Sequence, residues 1–134
     1  MKDLKLNITI NKPVEEVFAF ATDSSNISKW YPSIKEEIPN EIPWKLGTKI
    51  KNRGEDINNW GYYEVSEFEE NKVFTLNQMD SPYSVRYTFI DNGSSTDMEY
   101  YEWVDSGELE EPASIENLEL LKQCLESDFS ERNI

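Results

Sequence analysis

Histidine is absent from these 134 residues, and cysteine occurs once, at Cys124. The first absence removes the commonest general base and the commonest transition-metal ligand. Together the two exclude metal–thiolate clusters and Ser–His or Cys–His nucleophile systems. No cofactor or metal is expected. A lone cysteine also forbids an intrachain disulfide. The opening Met1-Lys2-Asp3-Leu4 runs into an alternating pattern with no apolar leader, so a cytoplasmic location is the expectation. No window approaches the ~20 apolar residues of a membrane span, and no integral membrane association is expected. Positive charge is scarce as well. The 13 basic residues face 27 acidic ones, a net charge of -14, which repels nucleic-acid backbones and anionic membranes.

Aromatic residues, by contrast, are plentiful: four Trp, seven Tyr and six Phe, which argues against disorder and for a core of large rings, several with a polar tip. A chain of this length buries roughly two-thirds of its unfolded surface, enough for a core without staples. Residues 1–134 read as one domain.

Leu4, Leu6, Ile8 and Ile10 alternate with polar residues, the period of a strand with one buried face. Pro13 then suits a helix start, with Glu15 and Glu16 near its positive end and Val14, Val17, Phe18 and Ala21 at helical spacing. Residues 23–26 break that helix and offer a cap for a second short one, 27–30. Strands are expected at 34–38, 48–52, 61–68, 73–79, 83–89 and 96–104, with 53–59 a polar loop. Asp91-Asn92-Gly93-Ser94 marks a hairpin, because Asn-Gly tolerates positive φ. After Pro112 the period turns helical: Ile115, Leu118, Leu121, Leu125 and Phe129 form one stripe, with Ser114 as a candidate cap. Strand, two short helices, about six strands and one long helix make an α+β domain with the helix on one face of the sheet.

That order, and the residues carrying it, resemble a known family. The stretch Ile8-Thr9-Ile10-Asn11-Lys12-Pro13-Val14-Glu15-Glu16-Val17-Phe18-Ala19-Phe20, Trp30, Trp44-Lys45-Leu46-Gly47-Thr48, Tyr63-Glu64-Val65-Ser66-Glu67-Phe68-Glu69 and Gly93-Ser94-Ser95-Thr96-Asp97-Met98 are similar to the START-like, or polyketide cyclase/dehydrase and lipid-transport, superfamily (SRPBCC, Bet v 1-like). The resemblance implies a helix-grip fold, in which a seven-stranded antiparallel sheet curls around the C-terminal helix and encloses an apolar cavity. Members bind lipids, hormones, sterols or aromatic polyketides; some catalyse cyclisation or hydrolysis, and some activate a chaperone ATPase. The fold does not choose among these.

On the last hairpin, period two places Thr96, Met98, Tyr100, Glu102 and Val104 on one face. If that face is the inner one, Glu102 is a ligand anchor or general acid among aromatics; alternatively it reaches solvent at the strand end or pairs with a lysine. Tyr63, Tyr83, Tyr87 and Tyr100 would point phenols at a ligand or simply pack. Trp30 and Tyr31 fit a cavity wall or an end plug, and Trp60 a sheet edge or a mouth. Leu118, Leu121 and Leu125 would form the helix side of the cavity, or of a filled core. The leading reading is an apolar small-molecule ligand held by Trp30, Tyr63, Tyr83, Tyr87, Met98, Tyr100, Glu102, Leu118, Leu121 and Leu125. The rivals are a cyclase or hydrolase with Glu102 as acid or base, and an interaction module resembling the chaperone activators. The last would use Arg86, Tyr101 and Trp103 on the opposite face, in a monomer or homodimer. Cys124 reads as inert packing, and the acidic stretches Glu36-Glu37 and 108–111 as surface charge.

Overall fold

Period-two burial along the chain builds one seven-stranded antiparallel sheet, and the computed structural model describes residues 1–127 of it and its helices. β1 (Asp3–Ile10) is followed by α1 (Val14–Ala21), a single 3-10 turn at Ser24–Asn26 and α2 (Ile27–Trp30). β2 (Glu36–Pro39), β3 (Lys49–Arg53), β4 (Trp60–Glu69), β5 (Val73–Gln78), β6 (Tyr83–Asp91) and β7 (Thr96–Val104) run as a meander, and α3 (Ile115–Glu126) closes the chain. The spatial order is β1-β7-β6-β5-β4-β3-β2, so β1 pairs with the last strand while β1 and β2 form the two free edges. This is the helix-grip arrangement that the family resemblance implies.

Most strand ends shift by one or two residues, and two of the shifts have a local cause. The strand expected at 34–38 starts at Glu36, because the Ile34 amide turns back to the Tyr31 carbonyl, and it ends on Pro39 at the sheet edge, where a missing N–H is tolerated. Arg53, expected in a loop, belongs to β3 and pairs with Glu36 and Trp60 across the sheet. Phe129 of the helical stripe lies outside the described residues.

The register fixes the faces. Ile50, Tyr63 and Gln78 lie abreast on β3, β4 and β5, as do Phe74, Tyr87, Tyr100 and Leu6 on β5, β6, β7 and β1. At the α1 end this inward face is filled. Phe18 meets Phe68, Phe74 and Phe89 edge-on, with ring centroids 5.5, 6.0 and 5.2 Å away, a favoured arrangement of ring quadrupoles. Leu118 and Leu121 are fully buried in the same core, so the helical stripe of α3 packs directly onto it. The start of α3 is set by Asn117, whose side chain accepts the Ser114 amide at 3.1 Å and donates to the Trp30 carbonyl at 3.3 Å, tying α3 to α2. At the other end, Lys122 donates to the Thr9 carbonyl and the Glu126 carboxylate accepts the Asn11 amide.

Phe18→Ala removes the ring at the centre of this plug. The expected loss is about 3–5 kcal/mol of stability in urea unfolding, typical of a buried phenylalanine.

Candidate functional site

The opposite half of the sheet's concave face is open. There a cavity of about 920 Å³ lies between the inner faces of β2 to β7, the connection 31–34 after α2, and the segment 108–112 that leads into α3. Its floor is aromatic. Phe74 and Tyr87 stack at 4.4 Å with their planes 17° apart, Trp44 meets Phe74 edge-on, and Tyr100 and Trp30 abut Tyr87. Its mouth is made of exposed residues from four connections: Pro32 and Ser33, Asn59, Ser81 and Pro82, and Glu108, Glu110, Glu111 and Pro112.

The wall toward β2 is polar, which departs from the wholly apolar cavity that the family resemblance implies. Glu37, Asn52 and Gln78 face inward there beside Tyr31 and Tyr63. Asn52 Nδ2 donates to Glu37 Oε1 at 3.1 Å. Burial pushes the Glu37 carboxyl up from its ordinary value, and Asn52 together with the nearby Ser24 side chain pulls it only part of the way back. Burial likewise lifts the Tyr63 phenol to about 12, with Glu37 adding to the effect, and raises Tyr31, Tyr83, Tyr87 and Tyr100. These phenols stay protonated at neutral pH and act as donors. Room for the polar wall comes from Gly61. A Cβ there would lie 3.2 Å from Gln78 Nε2 and 3.4 Å from the Tyr63 hydroxyl.

Glu102, on β7 away from this wall, is 1% exposed and lies behind Tyr83 and Tyr100. Its Oε1 accepts from the hydroxyls of Tyr83 at 2.7 Å and Tyr100 at 3.2 Å, and its Oε2 accepts the Ala113 amide at 2.7 Å. Neither alternative weighed from the sequence applies, since it reaches no solvent and meets no lysine. Its acceptor sites are instead occupied by protein donors, which explains how a buried carboxyl is tolerated.

Of the ten residues proposed from the sequence, Trp30, Tyr63, Tyr83, Tyr87 and Tyr100 share the cavity wall. Met98, Leu118, Leu121 and Leu125 do not, because they are consumed by the filled core, and Glu102 does not, because Tyr83, Tyr100 and Ala113 enclose it. From α3 the wall takes only Asn117. Trp60 and Tyr31 also line it. Reading Glu36-Glu37 as surface charge is corrected for Glu37, which faces inward; Glu108, Glu110 and Glu111 are exposed, as read, and stand at the rim of the mouth. Glu36 pairs with Arg53 at 2.9 Å. Periodicity concealed Glu37: Ile38 suggested an inward face, yet it is the residue turned out, 41% exposed.

On the convex face Arg86 is not paired with Glu99 or Asp97. Its guanidinium lies over Tyr101 and Trp103, 5.7 and 5.4 Å from the ring centroids, and these two rings stack at 5.1 Å. Cys124 donates to the Lys29 carbonyl, and burial raises its thiol. Among the described residues no helix is long and apolar enough to cross a membrane, and no group of three or more His, Cys, Asp or Glu could hold a metal ion.

A curved sheet gripping a helix, with an aromatic cavity open at one end, defines the helix-grip class of folds. Residues 1–131 match the family described as polyketide cyclase/dehydrase and lipid transport, and the chain belongs to that family. Solved structures agree on the fold. A conserved protein of unknown function from Enterococcus faecalis, EF2215, superposes with a TM-score of 0.73 at 13% identity, over 93% of this chain and 71% of that one. The Aha1 dimer from Colwellia psychrerythraea gives 0.66 at 15% identity, over 95% and 98%. The crystal structure of CalU16 from Micromonospora echinospora gives 0.65 at 16% identity, over 94% and 75%. No curated protein matches the sequence.

The two interior carboxyls should respond oppositely to amidation. Glu102→Gln replaces one acceptor oxygen by a donor facing either the two phenols or the Ala113 amide, and should cost about 1–3 kcal/mol in urea unfolding. For Glu37 the folded-state value is raised, so its contribution to stability is full below the carboxylate range, about pH 4, and is lost as pH rises through the folded value. Glu37→Gln should therefore raise the melting temperature at pH 7, and the gain should vanish as the pH is lowered toward 4.

Proposed function

We propose that this chain binds a small molecule with a flat aromatic or fused-ring body in the cavity. The supporting observation is the combination of a floor of Trp30, Trp44, Phe74, Tyr87 and Tyr100 with a few converging polar groups on one wall. That is the composition of a site in which apolar burial supplies affinity, at about 25 cal/mol per Å², and polar groups set orientation. The volume of about 920 Å³ accommodates a multi-ring ligand. Family membership fits this reading, since the family's description spans cyclases, dehydrases and lipid carriers. A flexible acyl chain is less well served, because Glu37, Asn52 and Gln78 would be left facing methylenes.

The two rival readings are weaker on this geometry. A cyclase or hydrolase using Glu102 lacks its acid, because that carboxyl is held by three protein donors outside the cavity wall. An interaction module built on Arg86, Tyr101 and Trp103 has a patch already engaged with itself.

Three of the four tryptophans, Trp30, Trp44 and Trp60, line the cavity, so emission reports directly on occupancy. Hydroxylated anthracenes or flavones should quench that emission and raise the melting temperature, with palmitate doing less. Gly61→Val, which drives a branched side chain into Gln78 and Tyr63, should weaken binding by about tenfold or more. Failure of every fused-ring compound to change emission or melting would sink the reading.

A further inference from the structure

The two inward-facing carboxyls in this half of the molecule, Glu102 buried and Glu37 half-buried, differ in how the fold treats them. Glu102 receives three hydrogen bonds from protein donors. Glu37 receives one, from Asn52 on Oε1, with the Ser24 side chain nearby; among the described residues no cation pairs with it. The single basic residue in the cavity wall, Arg53, is committed elsewhere. Its Nε pairs with Glu36 at 2.9 Å and its second nitrogen donates to the Gly54 carbonyl at 2.9 Å.

Charge around the cavity is one-sided. Its wall carries four acids, Glu37, Glu108, Glu110 and Glu111, against that one arginine, in a chain of net charge -14. Glu108 is paired with the Met1 amino group, which leaves Glu110 and Glu111 exposed at the mouth. An anionic ligand would be repelled at the mouth and again at Glu37. A neutral ligand would leave the half-paired carboxyl as it is. A cation is attracted at both places, and the rings of Tyr31 and Tyr63 stand in the same wall, whereas Trp60 already carries Lys51 at 4.6 Å and Arg53 at 5.7 Å over its ring.

We propose, resting on the cavity-binding reading above, that the ligand is an amine: a protonated ammonium group carried on the aromatic body, with Glu37 as its counter-ion. The ammonium would donate to the Glu37 carboxylate while the ring system lies on the Phe74–Tyr87 floor. Burial of Glu37 without a cation beside it disfavours its ionised form in the empty cavity, and an arriving cation offsets that penalty. Retaining such a carboxyl is a cost to the unliganded fold that ligand binding offsets.

Three probes of one shape and different charge test this: naphthylmethylamine, naphthylmethanol and naphthoate, titrated by calorimetry into the unmodified chain at pH 7.5. The amine should bind about tenfold or more tighter than the alcohol, and naphthoate weakest of all. Glu37→Gln, checked by its melting curve to be folded, should reduce the amine to the level of the alcohol. If the alcohol or naphthoate matches the amine, or the amine's advantage survives Glu37→Gln, the amine assignment is wrong while cavity binding stands. If none of the three binds and the fused-ring panel also fails, the cavity reading falls and carries this one with it.

Discussion

A carboxyl buried at 1% exposure dictates much of the geometry around it. Glu102 sits on β7, takes hydrogen bonds from Tyr83 on β6 and Tyr100 on its own strand, and holds the Ala113 amide just before α3. A buried acid must satisfy its lone pairs or force the structure apart, so these donors are bound to converge. Their convergence fixes where the last helix begins relative to the sheet. From that starting point Leu118 and Leu121 fall onto the core, and Asn117 falls at its margin. The boundary between filled and open halves of the grip is therefore drawn at this residue.

The two halves obey different rules. In the filled half, rings meet edge-on around Phe18 and the leucines of α3 seal the layer, as close packing demands. In the open half the inward face carries an acid, two amides and several phenols, which a packed core would reject without partners. The same alternation of side chains produces both, and cover by α1 and the leucines of α3 decides which one results. Apolar surface left uncovered there becomes the floor of the cavity.

Much of this was legible in the sequence. Period two along β1, β6 and β7 and the helical stripe before Glu126 fix fold class and order, and the phenols of Tyr63, Tyr83, Tyr87 and Tyr100 are placed on the inner face by parity alone. Parity could not say how far along each strand the cavity extends, so Met98 and the three leucines were grouped with residues they do not join. Glu37 was hidden for a deeper reason. Hydrophobic periodicity assumes that the inner face is dry; on β2 the inner face is polar, Ile38 points out, and the pattern inverts. Asn52, its cross-strand partner, is the only local signal, and it becomes readable once the register of β2 with β3 is known.

The position of Glu37 on β2 has one more effect. β2 is a free edge of the sheet, four residues long, ending in Pro39 and carrying adjacent acids. A neighbouring molecule attempting to add a strand there would meet a missing amide, a very short ladder and a charge turned toward the sheet interior, all of which discourage edge-to-edge polymerisation. The residue argued to hold a guest inside the fold thereby also helps keep copies of the protein from joining through their open borders.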